Sequence, residues 1–476
     1  MELLTILFAV VPAVFSKKPN IVFILADDLG WNDVGFHGSG QIPTPNIDAL
    51  AYSGLILNKY YVSAICTPSR SALMTGKHPI HTGMQHTVLY GAEPRGLPLN
   101  QKLLPQYLGD LGYANHIVGK WHLGCYKKKY TPTFRGFQSH TGYWTGHQDY
   151  NDHTAMEGGY WGLDMRRGMQ PAWDLHGQYS TDIFTREAVS IINVHNTTQP
   201  LFLYIAHAAV HSGNPYNPLP APDERVARFD YINNYHRRRF AGGVRGTGLL
   251  WSPLLERPGR VSNQLFHITD WLPTLLAASG GDLSQLSIDG MNLWPALRTG
   301  STSPRTEILH NIDDEYGNSA ITIGDWKLLQ GTTYNGAWDD WYGPSGREDA
   351  YNIDVVIASR AGQAVASVGL VIIVQRARDI REKASVRCTP RNVTLPACKP
   401  LQAPCLFRIH EDPCEKNNLA RVYPDMVATL QSQIKKWNAT AVTPANLPWD
   451  PRGDPIFWDH TWNNFGDYSG ATTIFG

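Results

Sequence analysis

NIVFILADD, residues 20–28, decides how the rest of the chain is read. An unbroken apolar run rich in β-branched and aromatic side chains has the pattern of a parallel strand buried on both faces, because a half-wet strand would alternate. It closes on two acids, and the carboxyl end of a strand is where open α/β sheets bind ligands. Asp27 and Asp28 are therefore candidate ligands of a hard cation such as Ca²⁺ or Mg²⁺.

Outward from that strand, Thr44-Pro45 opens a helix whose stop is Gly54, and LILNKYYV (55–62) follows as a second strand. Further strands are expected near 115–118, at LFLYIA (201–206) and near 249–251. Helices fit 180–194, 224–240 and 271–278, the last with Asp270 as N-cap. This alternation predicts an α/β fold, a mixed but mostly parallel sheet with helices on both faces. From about residue 308 the alternation weakens and AITIGDWKLLQG (320–331) resembles a hairpin. The expected division is a leader at 1–16, a main α/β domain at 17–307 and a smaller C-terminal α+β domain at 308–476.

The 476 residues carry 41 Lys+Arg against 41 Asp+Glu, so no net field draws the chain to nucleic acid or to an acidic membrane. MELLTILFAVVPAVFS reads as a cleaved signal peptide, and sequons at Asn196, Asn392 and Asn438 agree with the secretory route. The apolar run 364–374 is too short to span a membrane. Of six cysteines, Cys388, Cys398, Cys405 and Cys414 are expected to form two disulfides, with the pairing open. Cys66 and Cys125 stand apart, and a free thiol in an oxidising compartment needs a reason.

That reason lies in CTPSRSALMTG (66–76). Thr67 reads as an N-cap and Pro68 as the first helical residue, which sets Cys66 just ahead of an anion-attracting helix end. GKWHLG (119–124) places Lys120 and His122 two apart after a strand, so both can face one crevice if the chain stays extended.

LADDLGWNDVGFHG, CTPSRSALMTG, GKWHLG, LFLYIA with a His downstream, and GGVRG through HITDWLPTLL together resemble the sulfatase family, within it the arylsulfatase B branch. The resemblance covers most of 19–330. It implies an alkaline-phosphatase-like sheet and a sulfuric ester hydrolase acting on sulfated sugars or aryl sulfates, in lysosome or outside the cell. It implies that Cys66 is converted to formylglycine by the formylglycine-generating enzyme during secretion. Asp27, Asp28 and the modified Cys66 would bind Ca²⁺, Arg70 would hold the aldehyde hydrate, and Lys120 would neutralise the sulfate. His122 would draw a proton to expel sulfate, and His211 would protonate the leaving alcohol.

The chain departs from this pattern between Phe240 and Gly246. The resemblance implies a helix, a strand ending in Ser/Thr-Asp-Asn-Gly and a basic loop with a catalytic Lys, yet YHRRRFAG runs straight into GVRGTGLL. No Asp-Asn-Gly occurs anywhere, and no Lys stands between Lys129 and Lys327. Three readings follow: a sulfatase shortened near 241–243 by a skipped exon or a gene-model error, a secreted pseudoenzyme that binds sulfated glycans, or a related phosphodiesterase.

Overall fold

The computed structural model describes residues 18–232, 245–336 and 350–468. The leader at 1–16 and the junction at 241–243 lie outside the described residues. Strand β1 (Ile21–Ala26), helix α1 (Pro45–Ser53), strand β2 (Leu55–Tyr61) and helix α2 (Cys66–Thr75) open the chain. Helix α3 (Leu104–Asp110) and strands β3 (Ala114–Lys120) and β4 (Ser139–Tyr143) follow, then the short hairpins β5–β6 (Thr154–Glu157, Tyr160–Leu163) and β7–β8 (Arg166–Arg167, Gln170–Pro171). Helix α4 (Ser180–Val194) and strand β9 (Leu201–His207) complete the first half.

The main sheet runs β1-β9-β3-β4-β7-β8, with β1, β9, β3 and β4 parallel and β7–β8 returning antiparallel. One face packs on α2, α3 and α6 (Trp271–Ala278) through Phe202, Tyr204 and Ile117. The other face packs on α4, whose Ile183, Phe184 and Ala188 meet Leu203 and Ile205. Those helix positions recur at helical spacing, and each large side chain so buried contributes about 2 kcal/mol.

β1 departs from the expectation of a strand covered on both faces. It pairs with β9 alone among the named strands and ends its sheet, leaving Val22 46% and Ile24 60% exposed. The parallel strands do not form one sheet either. Strands β10 (Leu249–Leu250) and β11 (Arg260–His267) flank β2 in a separate three-stranded sheet, β10-β2-β11. The two sheets touch where Gly30, past β1, bridges Gly246. β11 was hidden in the sequence because Ser262, Asn263 and Gln264 interrupt its apolar run at a register shift between Ser262 and Leu265.

Helix 224–240 is found only as α5 (Asp223–Val226) and a 3-10 turn to Phe229, and 233–240 lie outside the described residues. α6 begins where expected, but Asp270 does not cap it through its side chain. Its carboxylate instead takes Arg305 from both sides and the Met291 amide. A buried carboxylate is better compensated by a guanidinium fork than by one helix amide.

The antiparallel sheet β12 (Glu307–Asp313), β13 (Asn318–Ile323), β14 (Trp326–Gln330) and β15 (Cys405–Arg408) packs on the helix Pro424–Asn438. β13 and β14 are the hairpin expected from AITIGDWKLLQG. The helices between Ile353 and Ala384 pack back on α1, through Ile353, Val356 and Ile380 against Ala49 and Tyr52. Cys388 bonds Cys414 and Cys398 bonds Cys405, while Cys66 and Cys125 are free. All three sequon asparagines are exposed, and no helix among the described residues is long and apolar enough to cross a membrane.

Candidate active site

The carboxyl ends of β1, β9 and β3 and the start of α2 meet at one point, where the topology of the sheet predicts a ligand crevice. β1 delivers Asp27 and Asp28, β3 ends on Lys120, His122 follows two residues on, and His211 lies just past β9. The structure brings together every residue the sequence nominated.

Cys66 is the first residue of α2 and Ile65 its N-cap, so the helix starts two residues earlier than Thr67 and Pro68 suggested. Thr67 is drawn away from capping: its hydroxyl donates to the His122 carbonyl and accepts from the Leu89 amide. This ties the first turn of α2 to the loop after β3. Cys66 is half-buried at that end.

Asp27 is buried between two buried cations. Its Oδ1 accepts from Arg70 Nη2 at 2.9 Å and its Oδ2 from Lys120 Nζ at 2.6 Å. Burial alone would raise the Asp27 carboxyl, but Lys120 and Arg70 outweigh it and hold it far below the usual carboxylate range. Arg70 also donates to the Lys120 carbonyl at 3.0 Å, which fixes both cations on one scaffold, and its Nε has no hydrogen-bond partner. One carboxylate between two cations leaves an excess positive charge in a dry place, which an anion would relieve.

His122 sits in the left-handed region (φ 57°), so β3 does not stay extended as expected. Lys120 and His122 approach the crevice from a turn, at a strain typical of functional sites. His122 Nε2 lies 2.9 Å from the Leu89 carbonyl and must donate to it, so Nδ1 is the unprotonated nitrogen; it is buried without a partner. Burial and the charges of Lys120 and Arg70 keep this ring neutral, well below the ordinary histidine range.

His211 has the opposite electrostatics. Its Nδ1 donates to the Ser212 carbonyl at 2.7 Å, which leaves Nε2 for the crevice, 3.7 Å from Asp28 Oδ2. Burial and Lys120 lower it, but the Cys66 hydrogen bond and Asp27 outweigh them and lift it to about 9. Asp28, also left-handed (φ 61°), is raised by burial and by its neighbour Asp27. His211 therefore stands protonated beside Cys66, and His122 stands neutral beside Lys120 and Arg70, the separation that assigns acid and base.

Metal-binding atoms of Asp27, Cys66 and His211 lie within 4.8 Å of one another. The oxygen donors among the described residues here are Asp27, both of whose oxygens are already bonded to cations, and Asp28. Ca²⁺ takes six to eight oxygens, so this set, even with an oxygen at position 66, does not make a protein-built calcium shell.

Three contributors were not legible. Tyr150 donates to the His211 carbonyl at 2.7 Å, His147 lies nearly parallel to His211 with centroids 6.4 Å apart, and the Tyr204 hydroxyl reaches Arg70 at 3.4 Å. The first two come from 144–173, a stretch whose turns carry no regular period; Tyr204 is an inward position of LFLYIA with no mark beyond its ring.

Fold and site together define an α/β enzyme core that gathers positive charge for an anion between a neutral and a protonated histidine. Residues 19–247 match the sulfatase family model. Mouse arylsulfatase J is 34% identical over 524 positions, covering 94% of this chain and 80% of that protein. Human N-acetylgalactosamine-6-sulfatase is 28% identical over 397 positions, covering 68% and 74%, and human arylsulfatase A is 28% identical over 394, covering 67% and 77%. Among solved structures, Ps i-CgsB in complex with k-i-k-neocarrahexaose superposes with a TM-score of 0.67 at 23% identity, covering 91% of this chain and 96% of that one. PsFucS1 sulfatase from Pseudoalteromonas sp. gives 0.60 at 19% identity, covering 91% and 92%. The chain belongs to the sulfatase family, sulfuric ester hydrolases that use formylglycine and a divalent metal.

Proposed function

We propose that this chain acts on sulfate esters of glycosaminoglycan-type sugars in the secretory pathway, in lysosome or outside the cell, with a turnover much reduced by its shortened middle. The observation that carries the reading is the single buried carboxylate shared by Arg70 and Lys120 beside Cys66. Their excess charge holds the sulfate oxygens. His211 Nε2 carries the proton for the leaving alcohol, and His122 Nδ1 accepts one from the group at position 66. When Cys66 carries the aldehyde, its hydrate supplies an oxygen nucleophile that can be regenerated by elimination.

The likeness to arylsulfatase B makes 4-sulfated N-acetylgalactosamine the first sugar to try. The alignment with mouse arylsulfatase J runs over 524 positions although this chain has 476 residues, which supports a stretch of that relative having no counterpart here. Charge at the sulfate is countered by Arg70 and Lys120, while among the described residues Ca²⁺ finds Asp27, Asp28 and position 66. Added Ca²⁺ is therefore expected to raise the melting temperature by no more than about 1 °C at millimolar concentration; a large saturable shift would show a complete site.

A second reading has its own observation: the anion-holding cations are intact while the oxygen set is short, as suits a glycan-binding pseudoenzyme. Both are tested by hydrolysis of a fluorogenic aryl sulfate by chain co-expressed with the formylglycine-generating enzyme, beside Cys66→Ala. Slow turnover lost in the variant supports the hydrolase. Folded, secreted chain that retains its thiol and binds sulfated glycan without turnover supports the binder.

A further inference from the structure

We propose that Trp161 and Tyr216 form a stacking platform for a sugar ring next to the sulfated one, an inference that rests on the crevice taking sulfated glycans. Trp161 is 48% and Tyr216 55% exposed, yet both rings are fixed. The Trp161 indole N–H donates to the Thr154 hydroxyl at 3.0 Å, and the Tyr216 hydroxyl donates to Asp152 Oδ2 at 2.7 Å. Thr154 spends its own proton on Asp152 Oδ1 at 2.7 Å, so one carboxylate ties the two anchors together. With both polar ends bonded to protein, the surface left to solvent is ring carbon. Rings held in this way bind a ligand at low cost in conformational entropy.

A pyranose suits this surface because its axial C–H bonds offer a positive edge to the negative face of an aromatic ring. The platform is continuous with the crevice. Tyr216 and His211 share one loop, closed by the Gly213 amide on the Pro218 carbonyl and the Asn217 amide on the Asn214 carbonyl. Buried Asn214 donates to the Tyr216 hydroxyl and the Thr154 carbonyl and accepts from the Met156 amide, each at 2.9 Å. Met156 pairs with Trp161 across β5–β6, and its carbonyl accepts from His147 Nε2 at 2.9 Å. His147 in turn lies nearly parallel to His211. The sugar whose alcohol takes the His211 proton lies against that ring. His147 and Met156 stand between His211 and Trp161, which sets the platform beneath the next sugar. A glycan is then gripped at two points, by Arg70 and Lys120 on its sulfate and by Trp161 and Tyr216 on its neighbouring ring.

The test is calorimetric titration of the secreted full chain carrying Cys66→Ala, which binds without turnover. The probes are a tetrasaccharide containing 4-sulfated N-acetylgalactosamine and that sulfated monosaccharide alone. Adding Trp161→Ala is expected to weaken the tetrasaccharide about tenfold and the monosaccharide less than about twofold. Trp161→Phe, which keeps a ring face, is expected to recover most of the loss. In saturation-transfer NMR with irradiation of the aromatic protons, C–H protons of an unsulfated ring are expected to receive saturation, and to lose it in Trp161→Ala. Circular dichroism and thermal melting check folding; should Trp161→Ala misfold, saturation transfer in the Cys66→Ala chain still decides. A tetrasaccharide bound no tighter than the monosaccharide overturns the platform. So does an affinity untouched by Trp161→Ala, or saturation confined to the sulfated ring. These outcomes leave the hydrolase standing, because turnover of the aryl sulfate is decided separately at Cys66. Failure of both sugars to bind overturns the platform together with the sugar reading of the crevice.

Discussion

At the residue scale, the chemistry was legible wherever a motif carried it. Asp27, Asp28, Cys66, Arg70, Lys120, His122 and His211 all stand in one crevice, although they come from four stretches of chain. What could not be read was how each is held. Nothing in GKWHLG shows that His122 turns left-handed and spends Nε2 on the Leu89 carbonyl, since that depends on a strand end and a loop packing together. The held geometry carries two predictions. Asp27→Asn removes the one carboxylate between Arg70 and Lys120 and leaves two buried cations facing each other; the loss in denaturant unfolding is expected to be about 3–5 kcal/mol, and a midpoint unchanged from wild type would show the pair to be hydrated. The second concerns His211. With its pKa lifted to about 9 by Cys66 and Asp27 against burial and Lys120, it contributes stability that is full below the ordinary histidine value of 6.5 and lost as pH rises through about 9. In unmodified thiol chain, NMR titration is expected to show this high value, and Cys66→Ala to lower it; equal values in the two would refute the coupling.

At the element scale, the hydrophobic period located most of the framework. Ser180–Val194 and Trp271–Ala278 fall where periodicity put them, because their buried stripes are uninterrupted. Reading failed where a local rule was overridden by a partner distant in sequence, as when Arg305 takes Asp270 from its cap or a bulge breaks the pattern of β11. The edge position of β1 belongs to the same class, since the strand pattern tells what a strand could bury and not which neighbours arrive. Gly119 shows such a constraint at the site itself. It has φ 100°, and a Cβ there would stand 2.0 Å from the Ala206 carbonyl oxygen across the β3–β9 ladder. That obstacle is backbone and cannot swing aside, so Gly119→Ala must push β3 from β9 and carry Lys120 with it. A stability loss of about 3 kcal/mol or more is expected, together with loss of sulfated-glycan binding measured by calorimetry. Binding retained at wild-type affinity would mean that Lys120 does not need this close approach.

At the scale of the whole molecule, histidines decide how the fold meets acid. His78 is buried where the main α/β unit joins the C-terminal sheet: its Nε2 donates to the Leu309 carbonyl of β12, and its ring stacks on His267 with centroids 5.6 Å apart. Burial pushes His78 down to about 4, and burial together with neighbouring cationic groups pushes His267 and His310 well below the ordinary value. His140 and His147 are also lowered to about 4, chiefly by burial. For each of these, the unfolded chain takes a proton near 6.5 while the fold refuses it, so stability is intact above 6.5 and falls as pH drops toward 4. Buried acids oppose the trend. Burial raises Asp48 and Asp164 to about 6 and Glu157 to about 7, so these groups favour the fold as pH falls through the same window. The lowered histidines outnumber the raised acids, since His116, His122, His153 and His207 move the same way. Each uncompensated group removes up to about 1.4 kcal/mol per pH unit. The melting temperature is therefore expected to fall steadily between pH 7 and pH 5, and to fall less in His78→Gln, which removes one proton-refusing ring from the joint. A melting temperature that is level or rises over that range would mean that the raised carboxyls dominate, and would favour an acidic compartment as the working place of the chain.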